Sequence, residues 1–213
     1  MKKIILVIML AIIMANISNA QQNTSDSRSE FHFGVKGGLN LSNIYDTQSE
    51  DYNTDGKFGF VAGVFMAIPI GELLGFHPEI LFSQKGYKAT GTYMGIIDYE
   101  FKRKSNFIDV PLLFAFKPIE QITLVAGPQY SYLIKQTDDI TSGDFTDQQV
   151  KDFENDNLRK NILCFLGGVD INLNNMVLGA RVGWDIQHNN GDGTSTDPRY
   201  KNVWYQATVG FKF

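Results

Sequence analysis

The sequence has few of the features that stabilise small exported proteins or anchor helical membrane proteins. It contains a single cysteine, Cys164, so no disulfide can form within the chain. Beyond residue 20 there is no run of 18 consecutive apolar residues, which excludes membrane-spanning helices. With 43% hydrophobic and 20% charged residues, the composition is neither disordered nor collagen-like. The length fits one ordinary domain.

An excess of positive charge is also missing. The net charge is −4 over the whole chain. Removal of Lys2 and Lys3 with a leader leaves 17 basic residues against 23 acidic ones, a net charge near −6. Nucleic acid is therefore excluded as an expected partner.

The first twenty residues have the pattern of a secretory signal peptide. Two lysines open the chain, residues 4–15 are almost wholly apolar, and small residues occupy positions 18–20. An apolar run of about a dozen residues is too short to cross about 30 Å of hydrocarbon as a helix. The sequence predicts cleavage after residues 1–20, and a short N-terminal periplasmic segment over residues 21–30.

What the sequence has in abundance is alternation of apolar and polar residues with a period of two. Eight segments show it: residues 31–42, 57–68, 75–87, 100–116, 121–134, 161–171, 176–187 and 202–213. In the clearest segment, Leu178, Ala180, Val182, Trp184 and Ile186 alternate with Gly179, Arg181, Gly183 and Asp185. Such alternation predicts β-strands with one apolar and one polar face.

Alternation alone fits either a soluble β-sandwich or a membrane barrel. The connections distinguish them, because short connections (residues 69–74, 117–120 and 172–175) strictly alternate with long polar ones (residues 43–56, 88–99, 135–160 and 188–200). Membrane barrels sort their connections in this way. The sequence therefore predicts that residues 31–213 form an all-β domain, an eight-stranded antiparallel up-and-down transmembrane β-barrel with short periplasmic turns and long extracellular loops.

The polar face of these strands predicts the contents of the barrel. Eight strands leave an interior just wide enough for side chains to fill it. The inward-facing charged residues, expected to form a polar network in the core, are Lys36, Glu79, Lys85, Asp109, Asp170, Arg181 and Asp185. Glu79 and Arg181 lie at comparable depths, so we expect them to belong to the same network.

The last segment predicts an assembly signal. Phe211 and Phe213 lie on its apolar, lipid-facing side, and we expect this strand to close the barrel against the first one. The alternating segment with its terminal aromatic residue resembles the signal that the barrel assembly machinery of bacterial outer membranes recognises. The alternative is a soluble edge strand, although an exposed aromatic edge invites aggregation.

Three segments resemble one known family. "FGVKGGLNLSN" (residues 33–43), "FIDVPLLFAFKP" (residues 107–118) and "AGPQYSYLI" (residues 126–134) are similar to recurring segments of the PorT-like family of outer-membrane β-barrel domains. The similarity runs over essentially the whole mature chain. It implies an eight-stranded barrel in the outer membrane of a Gram-negative bacterium, and little about activity, because a fold does not define a function.

The sequence shows no catalytic residue, cofactor site or metal site. Some small outer-membrane barrels modify lipid A, but His32, His77 and His188 lack an adjacent serine motif such as G-x-S-x-G. Cys164 is expected to be a buried, inert thiol. Two long connections are acidic, with Asp138, Asp139, Asp144, Asp147, Asp152, Glu154, Asp156, Asp192 and Asp197, yet the complete calcium-loop pattern is missing.

We therefore expect a non-enzymatic barrel with a structural or interaction role at the cell surface. Its expected partners are outer-membrane lipid and lipopolysaccharide, and the assembly machinery. The basic run Lys102-Arg103-Lys104 fits contact with lipopolysaccharide phosphates and fits a solvated rim equally well. An accessory role in protein secretion, suggested by the name-giving member of the PorT-like family, and a lipid A modifying enzyme stay open as alternatives. A pore is disfavoured, because eight strands leave no aqueous channel.

Overall fold

The computed structural model describes residues 27–45, 53–93, 97–142, 145–150, 159–189 and 200–213. Within these ranges, a 3-10 turn at Ser27–Ser29 precedes the strands β1 (His32–Tyr45), β2 (Asn53–Pro69), β3 (Leu74–Tyr93), β4 (Ile97–Ile119), β5 (Ile122–Ser142), β6 (Phe145–Val150), β7 (Asn161–Leu173), β8 (Met176–Asp185) and β9 (Lys201–Lys212). No helix in the described ranges is long and apolar enough to cross a membrane. The predicted signal peptide, residues 1–20, lies outside the described residues.

Eight of these strands close into a ring. Each strand pairs antiparallel with the next one along the chain, except that β5 pairs with β7, and β9 returns to pair with β1. At this seam Gly34 faces Lys212, and the Phe213 amide donates a 2.8 Å hydrogen bond to the Phe33 carbonyl. A closed ring leaves no strand edge unpaired beside lipid. The predicted eight-stranded antiparallel up-and-down barrel is confirmed.

The apolar side chains lie on the outer surface and the charged side chains lie inside, which is the reverse of a soluble protein. Phe58 is 69% exposed and Phe114 is 67% exposed on the outer surface, whereas Arg181 inside the ring is only 4% exposed. A membrane barrel turns its apolar residues to lipid, and an outward Arg or Lys at mid-membrane depth would cost about 2 to 4 kcal/mol. The alternation along each strand follows from this division between lipid and interior.

The two ends of the barrel differ as the lengths of the connections predict. Residues 70–73, 120–121 and 174–175 make the tight turns at one end. In the last of these turns Asn174 adopts a positive φ of 51°, a left-handed conformation that asparagine tolerates better than most residues.

Two of the predicted long connections are not simple loops, and this part of the prediction is wrong. In the described chain, β3 continues to Tyr93 and β4 starts at Ile97, so most of residues 88–99 form a paired hairpin. Likewise, β5 extends to Ser142 and pairs there with β6. Above the membrane both faces of a strand meet water, so these residues need no apolar alternation and the sequence does not mark them as strands.

These extensions build a small sheet that projects from one side of the barrel, which we call the outer sheet. Among the described residues it contains residues 53–56, 87–93, 97–105, 136–142 and 145–150, from β2 to β6 in order. β5 belongs to both structures, because it pairs with β7 up to Tyr132 and with β6 from Thr137 onwards. The barrel wall therefore continues into the outer sheet without a break.

At the opposite end, the described part of the N-terminal segment contacts the turn between β4 and β5. Arg28 Nη1 donates to the carbonyl oxygens of Lys117 at 3.5 Å and Pro118 at 3.4 Å. Lys117 Nζ donates in return to the Arg28 carbonyl at 2.8 Å. These reciprocal contacts hold the start of the chain against the end of the barrel that carries the tight turns.

Candidate functional site

The barrel interior contains all the charged residues predicted for the core, and the structure divides them between two clusters. Lys36, Glu79, Asp170 and Arg181 lie nearer the tight turns and form what we call the lower ionic cluster. Asp109 and Asp185 lie nearer the outer sheet, around Lys85, in the upper ionic cluster. All seven side chains are buried.

The lower ionic cluster joins four strands from both halves of the chain. Arg181 on β8 holds Glu79 on β3 through Nη1 at 2.9 Å. Through Nη2 it also holds both carboxylate oxygens of Asp170 on β7, at 2.9 Å and 3.2 Å. Lys36 on β1 completes the cluster, with its Nζ 2.7 Å from the other Glu79 oxygen. Two cations and two carboxylates balance, so the buried charges are mutually compensated.

The upper ionic cluster contains one cation, Lys85, and two carboxylates that have different partners. Lys85 Nζ lies 3.0 Å from an Asp109 carboxylate oxygen and 3.4 Å from the Ser131 hydroxyl. Asp185 accepts instead from the Cys164 thiol at 3.1 Å and from the Asn202 amide at 2.9 Å. The charged and hydrogen-bonding groups here tie β3 and β4 to β5, and β7 to β8 and β9.

Trp204 separates the two clusters, and the sequence did not single it out. Its ring is fully buried on the inward face of β9, and Lys85 Nζ lies 3.7 Å from the ring centroid, a cation–π contact. Gly183, its register partner on β8, leaves the space that the ring fills. Trp204 has an even number, like the inward-facing Asn202 and Gln206, and this parity indicates the inward face of β9. It was missed because a tryptophan is apolar and therefore also fits a lipid-facing position.

We expect Gly183→Ala to destabilise the barrel by about 1 to 3 kcal/mol, because the added methyl group overpacks the interior. A Cβ at this position would overlap the Trp204 ring and lie 2.8 Å from a Leu166 methyl carbon. The measurement is the urea midpoint of the barrel in detergent micelles, followed by tryptophan fluorescence. Gly167→Ala is the matched control, because a Cβ there meets its nearest atom, the Val125 carbonyl oxygen, at 3.8 Å. Equal midpoints for both variants would contradict the tight packing around Trp204.

The outer mouth of the barrel is closed by a third group, the mouth cluster, made of Tyr87, Phe101, Arg103, Asp138 and Tyr200. The Arg103 guanidinium donates to both Asp138 carboxylate oxygens, at 2.8 Å and 2.6 Å, and to the Tyr200 hydroxyl at 3.2 Å. Its central carbon lies between 5.3 and 5.8 Å from the centroids of the three aromatic rings. Charge-assisted hydrogen bonds and aromatic contacts together fix the cation inside the mouth.

This geometry corrects two expectations. Arg103 does not face the lipid headgroups with Lys102 and Lys104, because it has the inward parity of Ser105 and Asp109 and is 3% exposed. Asp138, named among the acidic residues of a long connection, lies on β5 instead and forms an ion pair with Arg103. The other acidic residues named for the loops, apart from Asp139 and the backbone of Asp147, lie outside the described residues.

Two small cavities lie between these groups in the part of the chain that the structure describes. A cavity beneath the mouth cluster, lined by Ser105, Gln136 and Asn202 among others, has a volume of about 10 Å³. Another, beside His77 and Lys117, has about 30 Å³. A single water molecule needs about 10 to 15 Å³, so neither cavity provides a path for solutes. A larger cleft of about 480 Å³ lies at the tight-turn rim, next to Lys212 and Phe213.

The described residues offer no assembled reaction centre for a substrate from outside. Cys164 and Ser131 lie 3.4 Å apart, but both are buried within the filled interior. His77 faces the interior near the tight turns, whereas His188 lies at the other end, where its carbonyl accepts from Arg159 at 3.1 Å. No three His, Cys, Asp or Glu side chains gather as metal ligands within the part of the chain that the structure describes.

A closed ring of eight strands, apolar outside and filled with ion pairs inside, defines a transmembrane β-barrel. The chain belongs to the family described as "outer membrane protein beta-barrel domain", whose sequence model matches residues 19–189. The protein is therefore located in the outer membrane, as the sequence predicts.

Several solved barrels are similar to this chain at low identity. Ail, the attachment invasion locus protein of Yersinia pestis, is 15% identical with a TM-score of 0.46, covering 86% of this chain and 99% of Ail. Neisserial surface protein A is 14% identical with a TM-score of 0.44, over 86% of this chain and 97% of that one. OprG from Pseudomonas aeruginosa is 13% identical with a TM-score of 0.42, over 87% and 97%. No curated protein matches the sequence.

Proposed function

We propose that the protein is a non-enzymatic outer-membrane barrel that presents its outer sheet to partners at the cell surface. The observation that carries the proposal is the contrast between the two parts of the molecule. Ion pairs and aromatic rings fill the interior, while the outer sheet extends the wall beyond the lipid-facing band. A filled barrel supports neither transport nor an internal reaction, and the surface that is left for function is the projecting one.

The mouth cluster supports this division of roles. It ties β4 and β5, which carry most of the outer sheet, to Tyr200 at the start of β9. Binding surfaces work best when a rigid scaffold holds them, because less conformational entropy is lost on binding. The barrel is then the scaffold, and Arg103 fixes the outer sheet to it.

A second candidate is an accessory role in protein secretion, and it rests on the finer PorT-like assignment. The resembling segments, residues 33–43, 107–118 and 126–134, lie in β1, β4 and β5. In that case the partners are proteins of an export complex, and the periplasmic rim is a contact surface as well.

Shortening the outer sheet tests both candidates. Ala89 faces Phe101 across the β3–β4 hairpin, so residues 90–100 can be replaced by an Asn-Gly turn without touching the mouth cluster. We expect the shortened barrel to fold, shown by heat-modifiable gel mobility, and to lose most of the cross-links that the intact protein forms at the surface of living cells. Retention of all cross-links by the shortened barrel would contradict the surface role, and cross-links to periplasmic export proteins would support the second candidate. Altered lipid A mass spectra in a deletion strain would contradict the non-enzymatic assignment.

A further inference from the structure

The outer wall of β3 and β4 changes from apolar to cationic within four residues of β4, from Ile108 to Lys104. The last apolar pair on this face is Phe82 with Ile108, and the next outward pair is Gln84 with Asn106, joined by a 3.0 Å hydrogen bond. The position after that pairs Gly86 with Lys104. Lys104 lies four residues beyond Ile108, about 13 Å along the strand and about 10 Å along the membrane normal at the usual strand tilt, so it lies above the lipid-facing band, at the outer side of the headgroups.

A second lysine reaches the same place from the neighbouring strand. The Nζ of Lys57 on β2 donates to the Arg103 carbonyl on β4 at 3.3 Å. Its strongest charged neighbour there is Asp139, followed by the like charges of Lys104 and Lys102. Lys57 and Lys104 therefore lie near enough for their charges to act on each other.

The carboxylates on this face of the wall lie further from the membrane than Lys104. Glu100 binds Lys88 at 2.5 Å and also contacts Lys102, and these two ammonium groups hold the pKa of the Glu100 carboxyl below its usual range. Asp139 faces Lys102 across the β4–β5 pairing. In the row nearest the membrane, Lys104 pairs with Gly86 and Thr137, neither of which carries a charge.

We propose that Lys57 and Lys104 form a binding site for the phosphate monoester of an outer-leaflet lipid headgroup, the group that lipid A presents at this depth. A phosphate between the two ammonium groups relieves their repulsion, and it accepts charge-assisted hydrogen bonds from both. This site rests on the outer-membrane location alone and does not depend on a role for the outer sheet.

The test uses the full-length barrel in phosphatidylcholine nanodiscs titrated with lipid A. Each lysine near a lipid surface contributes about 1 kcal/mol, so we expect Lys104→Gln to weaken lipid A binding about 5-fold, and the Lys57→Gln, Lys104→Gln pair about 25-fold. Lys201→Gln is the matched control, because Lys201 starts β9, which lies across the ring from β4. Lys104 is exposed, so its substitution does not endanger folding.

Two further arms identify the ligand. Lipid A from which the phosphates have been removed should bind the intact barrel and the double variant equally weakly. Inorganic phosphate should not displace bound lipid A when the two are equimolar. Unchanged affinity in the double variant, an equal loss in Lys201→Gln, or full binding of dephosphorylated lipid A would each overturn the proposal. Displacement by equimolar inorganic phosphate would overturn the assignment to a lipid, since the site would then serve a free anion.

Discussion

Arg181→Leu should lower the free energy of unfolding by about 3 to 5 kcal/mol, because it leaves Asp170 buried without its arginine and Glu79 with Lys36 alone of its two cation partners. The arginine side chain is fully buried and holds both carboxylates. The measurement is the urea midpoint and slope of the refolded barrel in lipid vesicles, with tryptophan fluorescence as the probe.

Two companion variants separate the charge from its geometry. Arg181→Lys keeps the positive charge but loses the two-pronged contact, so an intermediate loss is expected. Arg181→Leu combined with Asp170→Leu removes one cation and one carboxylate together, and leaves the Lys36–Glu79 pair intact. We expect the double variant to be more stable than Arg181→Leu alone, because no unpaired charge is left inside. If Arg181→Leu unfolded at the wild-type urea concentration, the lower ionic cluster would not hold the barrel together.

Deletion of residues 211–213 should abolish most assembly into the outer membrane. The deletion removes Phe211 and Lys212 as register partners of β1, and the Phe213 amide that donates to the Phe33 carbonyl. Several backbone groups of β1 then face lipid without partners, at a cost of several kcal/mol each. Phe213 also stacks on Phe33 with ring centroids 5.1 Å apart, which holds the seam from the lipid side. Radiolabelled protein followed into the outer-membrane fraction gives the readout.

Point variants separate the effect of the lost side chains from the effect of the lost backbone, which the deletion removes together. Lys212→Ala keeps the backbone of the seam and should assemble nearly normally. Phe213→Ala keeps the Phe213 backbone amide, so a large loss in this variant alone would identify the aromatic side chain as the assembly signal. Equal assembly of the truncated and intact chains would show that the β1–β9 seam does not need its last three residues.

The sequence predicts side-chain orientation best in the lipid-crossing parts of the strands, because lipid restricts which residues can face outward. Phe114 faces outward and Arg181 inward because the membrane penalises the opposite arrangement by several kcal/mol, so the alternation of β4 and β8 defines both faces. This constraint ends at the headgroups. Arg103 has the same inward parity as Asp109, but it lies within a basic run above the lipid-facing band, where both faces of a strand can be polar. The outer sheet was missed for the same reason.

Inside the barrel, prediction from the sequence is limited for a different reason. Period-two alternation places residues on a face, but it does not say which of them touch across the ring. Glu79 and Arg181 meet because β3 and β8 face each other through the interior, whereas Asp109 at a different depth binds Lys85 instead. Trp204 could not be assigned from hydrophobicity, since its place inside depends on the space that Gly183 leaves on the neighbouring strand. Contacts across a closed ring depend on strand tilt and register, which alternation does not specify.

The span of the interior contacts along the chain determines the order in which this barrel can fold. Arg181 and Glu79 are 102 residues apart, and Gln206 donates to Asn40 across 166 residues. Lys36 and Glu79 can pair among the first three strands, but their balance of charge is completed only when Arg181 and Asp170 arrive on β8 and β7. Contacts so distant in sequence make folding slow and favour all-or-none closure. We therefore expect the contacts of Arg181 and Gln206 to form last, together with the β1–β9 seam that closes the ring.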